Sequence, residues 1–399
     1  MRYSALLLAT LALPAVASGQ TPDRYRLTIG TVDSLKSTVL NETRKYLVYT
    51  PPSYSDTMFS PQRYPVLYLL DGDAHFHSVS GLIQILGTGV NATYAVPEMM
   101  VVAIPNTNRL RDMSPTKVTK GPDGKPAPGL ASSGGMANFL AFIKNELIPQ
   151  IDAKYRTSPY RIFVGHSLGG ITVIDALYTI PETFNAYIAI DPSLWWDDKV
   201  LLKQAKEHVS KDNYQGKVLY LGQANTMSPD DTTTNNHFNA MLQFNEVLNT
   251  YNTSGLRYAY KYYPNDDHGS VPIITEYDAL RFIFDGYKLN LSQVMADPSV
   301  LPKHFKDVSA RLGVPFQPSE AMLIQLAGFV VGQDTTKAMA MYEIGTQFYP
   351  NSYRSYDRLG ALWAAKGDKK KAVGFYEKSV ALNPGNTISA TKLKELRGQ

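Results

Sequence analysis

The heptapeptide Val164-Gly-His-Ser-Leu-Gly-Gly170 constrains this chain more than any other feature, because a Gly-x-Ser-x-Gly turn between a strand and a helix admits one local geometry. The apolar run Arg161-Ile-Phe-Val-Gly165 leads into it, and residues 169–178, with helical patterning, lead out. So sharp a turn brings the two backbones together at Gly165 and Gly169, where side chains would collide. It leaves the Ser167 hydroxyl projecting at the carboxyl edge of a sheet. The helix amides beneath it supply hydrogens and a partial positive field suited to a developing oxyanion.

The rest of the chain supplies the sheet that such a turn needs. Residues 64–70 and 99–104 are short continuous apolar runs, ending at Asp71-Gly72-Asp73 and at Pro105-Asn106, the pattern of strands buried on both faces of a parallel sheet. Residues 186–190, 217–221 and 258–262 read as further strands, and residues 25–50 as a hairpin around Asn41-Glu42-Thr43. Between Gly135 and Tyr155, Phe139, Phe142, Ile143, Leu147 and Ile151 recur at helical spacing. Strands alternating with helices imply an α/β fold, a mostly parallel central sheet flanked by helices.

Composition narrows the chemistry. The 399 residues are 44% hydrophobic and 19% charged, the profile of a folded chain. No cysteine is present, which excludes disulfides, thiolate metal sites, thiol nucleophiles and a lipidated N-terminal cysteine. The net charge is only +4 and no basic run exceeds residues 369–371, so nucleic acid is not an expected partner. The 26 tyrosines suit a wet binding cleft, and equally a β-rich exported protein. Arg2 followed by the mostly apolar residues 5–17 and small residues at Ala15 and Ala17 reads as a signal peptide, residues 1–19, cleaved after Ala17 or Gly19. That leader is too short to span a hydrocarbon core of ~30 Å. An exported protein, periplasmic or extracellular, without a membrane anchor is expected.

Ser167 needs a base. Four histidines follow it: His208, His237, His268 and His304. His268, in Asn265-Asp-Asp-His-Gly-Ser270 directly after the last strand, is placed to swing over Ser167 as general base. His208 and His304 read as solvated, and His237 as a residue of the cleft rim.

Residues of about 24–290 resemble the esterase D and enterochelin-esterase-like group of α/β-hydrolases. The resemblance rests on Asn41-Glu-Thr-Arg-Lys-Tyr-Leu-Val-Tyr-Thr-Pro51, Leu69-Leu-Asp-Gly72, Glu146-Leu-Ile-Pro149, the serine turn, Asp191-Pro-Ser-Leu-Trp-Trp196 and the His268 loop. It implies an α/β-hydrolase fold, hydrolysis of carboxylic esters (aryl, sugar-linked or siderophore) without a cofactor, and an oxyanion hole from backbone amides of Gly72 or Asp73 with Leu168. Members usually carry the triad acid just after the strand equivalent to residues 217–221. Here that turn reads Gly222-Gln-Ala-Asn-Thr226, with Asn225 in the acid's place. Asp230 or Asp231, Asp191 from the preceding strand, or a dyad oriented by Asn225 all remain open, with Asp191 and Asp231 favoured.

His75 and His77 have the spacing of a metal pair, but with no third ligand near them in sequence they read as lining the cleft beside the oxyanion hole, with no metal. Trp195 and Trp196 form an acyl or aryl wall, or pack in the core. Arg109 and Arg111 either clamp an anionic substrate or pair with Asp112 or another acid.

After Leu289 a Pro-punctuated stretch, residues 291–317, reads as a linker partly packed on the body. Beyond it Ala338, Tyr342 and Pro350 recur 34 residues later as Ala372, Tyr376 and Pro384, a period that resembles the tetratricopeptide repeat. The expected organisation is a leader (1–19), an esterase domain (20–290), a linker (291–317) and a small all-α helical-repeat domain (318–399). That last domain is a structural cap, or a surface for a protein partner. An exported serine carboxylesterase follows; acyl transfer on the same fold and a catalytically weak interaction protein are its alternatives.

Overall fold

The short apolar runs form the middle of an eight-stranded sheet. The computed structural model describes residues 27–88, 94–121, 124–230 and 232–398, so the leader and its cleavage site lie outside the described residues, as does Asp231. The strands are β1 (Thr31–Ser37), β2 (Glu42–Tyr49), β3 (Tyr64–Leu69), β4 (Met100–Ala103), β5 (Thr157–His166), β6 (Ala186–Ile190), β7 (Val218–Ala224) and β8 (Arg257–Tyr263). Their order is β1-β2-β4-β3-β5-β6-β7-β8. The hairpin β1–β2 is antiparallel and joins β4 antiparallel, while β4, β3 and β5 to β8 run parallel.

Helices α1 (Gly72–Gly87), α2 (Arg109–Asp112), α3 (Met136–Phe142), α4 (Ile148–Lys154), α5 (Leu168–Thr179), α6 (Trp196–Lys211), α7 (Thr232–Tyr251) and α8 (Val271–Ile283) connect or follow the strands. The helix expected over 135–155 carries a π turn, Ile143–Leu147, between α3 and α4. It sits directly before Pro149, whose missing N–H and bulky ring break the regular ladder. Alternation along each strand sends side chains into two cores: in β5, Ile162 and Val164 face one, Phe163 the other.

The stretch read as a linker is helical. Helices α9 (Leu291–Ala296) and α10 (Val300–Leu312) bury Val294, Leu301, Phe305, Val308 and Leu312 in the same core as Val164 and Ile188 of the sheet. The prolines that suggested a break are compatible with this, since Pro302 occupies the first turn of α10, where no backbone partner is lost. Then come α11 (Glu320–Val330), α12 (Thr335–Phe348), α13 (Tyr353–Ala365), α14 (Lys369–Leu382) and α15 (Thr387–Arg397). The 34-residue period appears as matched positions, Ala338 and Tyr342 on α12 and Ala372 and Tyr376 on α14, all buried. No helix among the described residues is long and apolar enough to cross a membrane.

Candidate active site

Strand β5 ends at His166, paired with Ile190 at the end of β6, so Ser167 and Asp191 emerge side by side at the carboxyl edge. Ser167 has φ 60° and ψ −115°, the strained conformation that the turn requires. A Cβ on Gly165 would lie 2.2 Å from the Gly169 carbonyl oxygen, so only glycine lets β5 and α5 approach this closely. The turn is braced from β6: the Ser167 amide donates to Ile190 O (3.0 Å) and the Ser193 amide to Ser167 O (3.0 Å). The Ser167 hydroxyl lies 3.2 Å from the hydroxyl of buried Ser193.

His268 follows β8 in a tight loop. Asp267 accepts hydrogen bonds from the amides of Gly269 and Ser270, both at 2.9 Å, and the Asn225 amide donates to Asp266 O at 2.8 Å. The His268 Nδ1 lies 2.5 Å from Oδ2 of Asp191, which is fully buried. Of the acids left open by the sequence, Asp191 is the one at the imidazole. Asp230 is exposed and receives no hydrogen bond from His268, Asp231 lies outside the described residues, and Asn225 is exposed with its side-chain amide on Pro264 O at 3.1 Å. Asn225 thus secures the loop that carries His268 rather than the ring.

Asp191 carries two further donors: the Ala224 amide to Oδ1 at 2.9 Å, and Nε2 of His237 to Oδ2 at 3.0 Å. Burial alone would raise its carboxyl pKa, but the hydrogen bonds from His237, His268 and Ala224 outweigh it and hold the group ionised, well below the usual carboxylate range. His166 packs its ring 4.4 Å from that of His268. Burial, then the nearby His268 and His75, push its imidazole down to about 4, so at neutral pH it presents an uncharged face. The atoms of Asp191, His237 and His268 lie within 4.8 Å of one another, a grouping that also suits a metal ion. The 2.5 Å and 3.0 Å N···O separations are hydrogen-bond distances, and they join the three groups in one network.

The oxyanion-hole reading changes in one place. The Gly72 amide donates to Ile104 O at 3.0 Å and is not free, because Gly72 packs its backbone against β4, where a Cβ would lie 2.8 Å from Ile104 N. The amides of Asp73 and Leu168, in the first turns of α1 and α5, have no intrahelical partner. Asp71, in the left-handed region at the N-terminus of α1 (φ 51°), ties this corner together. Arg109 grips it with two hydrogen bonds, 2.6 and 3.0 Å, and also donates to His166 O at 3.1 Å. Of the two roles read from the sequence, Arg109 here takes the pairing with an acid, through Nε and Nη2. Arg111 pairs with Asp112 and Glu42.

The His75 ring lies 5.9 Å from that of His166, whereas His77 is exposed two residues further along α1 and makes no such contact. The tryptophans divide: Trp196 is buried, its Nε1 donating to Thr116 Oγ1 at 3.1 Å, and Trp195 is 37% exposed beside it. Sequence reasoning missed three neighbours of Ser167, His268 and Asp191: His166, Ser193 and, as a partner of Asp191, His237. Ser193 and His166 lie inside motifs already singled out; nothing local marks His237, which reaches Asp191 from a separate helix.

A family model described as "Putative esterase" matches residues 37–269. Ferri-bacillibactin esterase BesA of Bacillus subtilis is 31% identical over 266 residues, 63% of this chain and 89% of the relative. Siderophore triacetylfusarinine C esterase of Aspergillus fumigatus is 32% identical over 149 residues, covering 36% of this chain and 49% of that one. Among solved structures, an IroE-like serine hydrolase from Shewanella oneidensis superposes with a TM-score of 0.72 at 33% identity, over 80% of this chain and 99% of that one.

Proposed function

The chain belongs to this esterase family and hydrolyses ester bonds, and on that premise we propose that Ser167 is its nucleophile, His268 its general base and Asp191 the acid of the triad. The single observation that carries the reading is the 2.5 Å hydrogen bond between His268 Nδ1 and Asp191 Oδ2, beside a serine held in the strained turn. Since the carboxylate only accepts, Nδ1 carries the hydrogen and Nε2 is left bare to take the Ser167 proton. The Ser167 oxygen attacks the ester carbonyl carbon, and the negative charge that develops on the carbonyl oxygen is met by the amides of Asp73 and Leu168. His268 then gives its Nε2 proton to the departing alcohol, leaving an acyl-serine. Water, deprotonated by the same nitrogen, attacks the acyl carbon and regenerates Ser167. Asp191 stays ionised throughout and stabilises the imidazolium.

We further propose that the substrate is a siderophore-type ester. The names of the relatives support this, together with the imidazole ring of His166, next to Ser167 in sequence and packed 5.9 Å from that of His75, and Trp195 exposed beyond the end of β6. With Arg109 bound to Asp71, recognition rests on flat aromatic faces and not on a guanidinium clamp. The leader-like residues 1–19 support action outside the cytoplasm. The test is hydrolysis by purified protein of p-nitrophenyl acetate, feruloyl esters, acetylated sugars and ferric siderophore esters, beside Ser167→Ala. The reading expects siderophore esters to be turned over best and Ser167→Ala to lose at least about a thousandfold with its fold intact. Undiminished turnover by Ser167→Ala overturns the nucleophile assignment. Preference for another ester class overturns the substrate assignment.

A further inference from the structure

The carboxylate of Asp191 serves two imidazoles, those of His268 and His237. His237 comes from α7, the helix that follows β7, and is 8% exposed. Its Nε2 lies 3.0 Å from the same Oδ2 that accepts from His268, and its Nδ1 is buried with no hydrogen-bond partner. The tautomers follow from these contacts. Asp191 can only accept, so His237 must carry its hydrogen on Nε2, which leaves Nδ1 bare. Protonating Nδ1 would bury both a second charge and an N–H with nothing to receive it. In this tautomer His237 donates to Asp191 through Nε2 and carries no proton on the buried Nδ1.

We propose that His237 is a positioning residue for ester hydrolysis: its Nε2–H pins the Asp191 carboxylate in the orientation that receives the Nδ1–H of His268, and draws on the charge of that carboxylate. This rests on the triad reading above. With Ala224 N–H on Oδ1 and two imidazole N–H groups on Oδ2, three donors share one negative charge, and the carboxylate competes poorly for the His268 proton. Removing His237 would concentrate that charge on His268, favour its protonated form and move the acid limb of the pH–rate profile to higher pH. It would also free the carboxylate to rotate about its remaining contacts.

The other groups facing this pair do not take over the role. His166 from the end of β5 packs on His268 as a neutral ring. Asp267 is engaged by the backbone of its own loop, and Asp71 by Arg109. His75 sits beyond His166, and Tyr260 of β8 gives its hydroxyl to Gln223 Oε1 at 2.7 Å.

The experiment measures kcat, KM and the pH profile of kcat/KM on one p-nitrophenyl ester for the full-length protein and three variants. His237→Leu fills the space without the donor. His237→Gln returns an N–H near the Nε2 position. Asp191→Asn reports on the triad itself. His237→Leu should lower kcat about tenfold with KM nearly unchanged and raise the acid limb by about half a pH unit or more, since one unit corresponds to a tenfold change in the proton equilibrium. His237→Gln should return the limb and most of kcat. If Asp191→Asn loses activity by orders of magnitude while His237→Leu keeps the wild-type limb and kcat, or loses only thermal stability, the positioning role is overturned and the triad stands. If Asp191→Asn keeps full activity, the triad reading falls first, and this proposal with it.

Discussion

At the scale of single residues, burial decides which ionisable groups do chemistry and which simply endure. Asp191 and Glu276 are both buried carboxyls. Asp191 has three donors and stays ionised, whereas Oε2 of Glu276, on α8, has no partner at all, and burial pushes its pKa up to about 8. The consequence for stability has a definite sign. Folded, Glu276 keeps its proton until about pH 8; unfolded, it loses it near its ordinary 4.5. The folded state therefore binds more protons in that window, and stability is full below about pH 4.5 and falls as pH rises towards 8. Glu276→Gln removes this slope. Denaturant unfolding should find the variant gaining on the wild type by on the order of a few kcal/mol between pH 5 and pH 8. An equal difference at both pH values would contradict the account.

At the scale of elements, the junction of β5 and α5 was legible because its requirements are local: a glycine at each end of a turn, an apolar strand before, a helix after. The acid was not. Asp71 and Asp191 both end apolar runs and both adopt positive φ, yet one grips Arg109 and the other meets His268. The difference lies in strand order, since β6 lies beside β5 and the loop after β8 folds back over both, 77 residues from Asp191 in sequence. The same reason hid His237: it sits on α7, 46 residues from Asp191 in sequence. The Gly72 amide was misread because its carbonyl partner, Ile104, lies just past the end of another strand, β4. The π turn before Pro149 and the helices inside residues 291–317 show that proline marks a disturbance without saying whether the helix ends there.

For the whole molecule, the helical tail and the sheet share one core. From Tyr160 in β5 a chain of ring contacts runs through Phe284 (5.6 Å), Phe316 (5.8 Å from Tyr160), Tyr287 and Phe305 to Phe348 of α12. Glu320 of α11 accepts from the Ser60 amide at 2.6 Å, and a small cavity between tail and body is lined by Arg63, Pro65 and Ser158 with Phe316 and Met322. Those body residues mark the amino ends of β3 and β5, opposite the edge that carries Ser167. A chain ending at residue 317 would uncover Phe305, whose ring meets Phe348, and open the cavity that Tyr287 shares with Met322, each side chain contributing roughly 1.5–3 kcal/mol by burial, against a total stability of about 5–15 kcal/mol. That truncated protein should aggregate or melt at least about 10 °C lower, with any soluble fraction keeping its kcat, as scanning calorimetry and ester hydrolysis would read. A truncated chain as stable as the full one would contradict the shared core.

The central claim concerns one oxygen. Treatment of the native protein with a fluorophosphonate, followed by peptide mass mapping, asks which serine the cluster activates. The account predicts a single adduct on Ser167, formed far more slowly when His268 is replaced by alanine. An adduct on Ser193, whose hydroxyl lies 3.2 Å away, or no adduct at all, would contradict it.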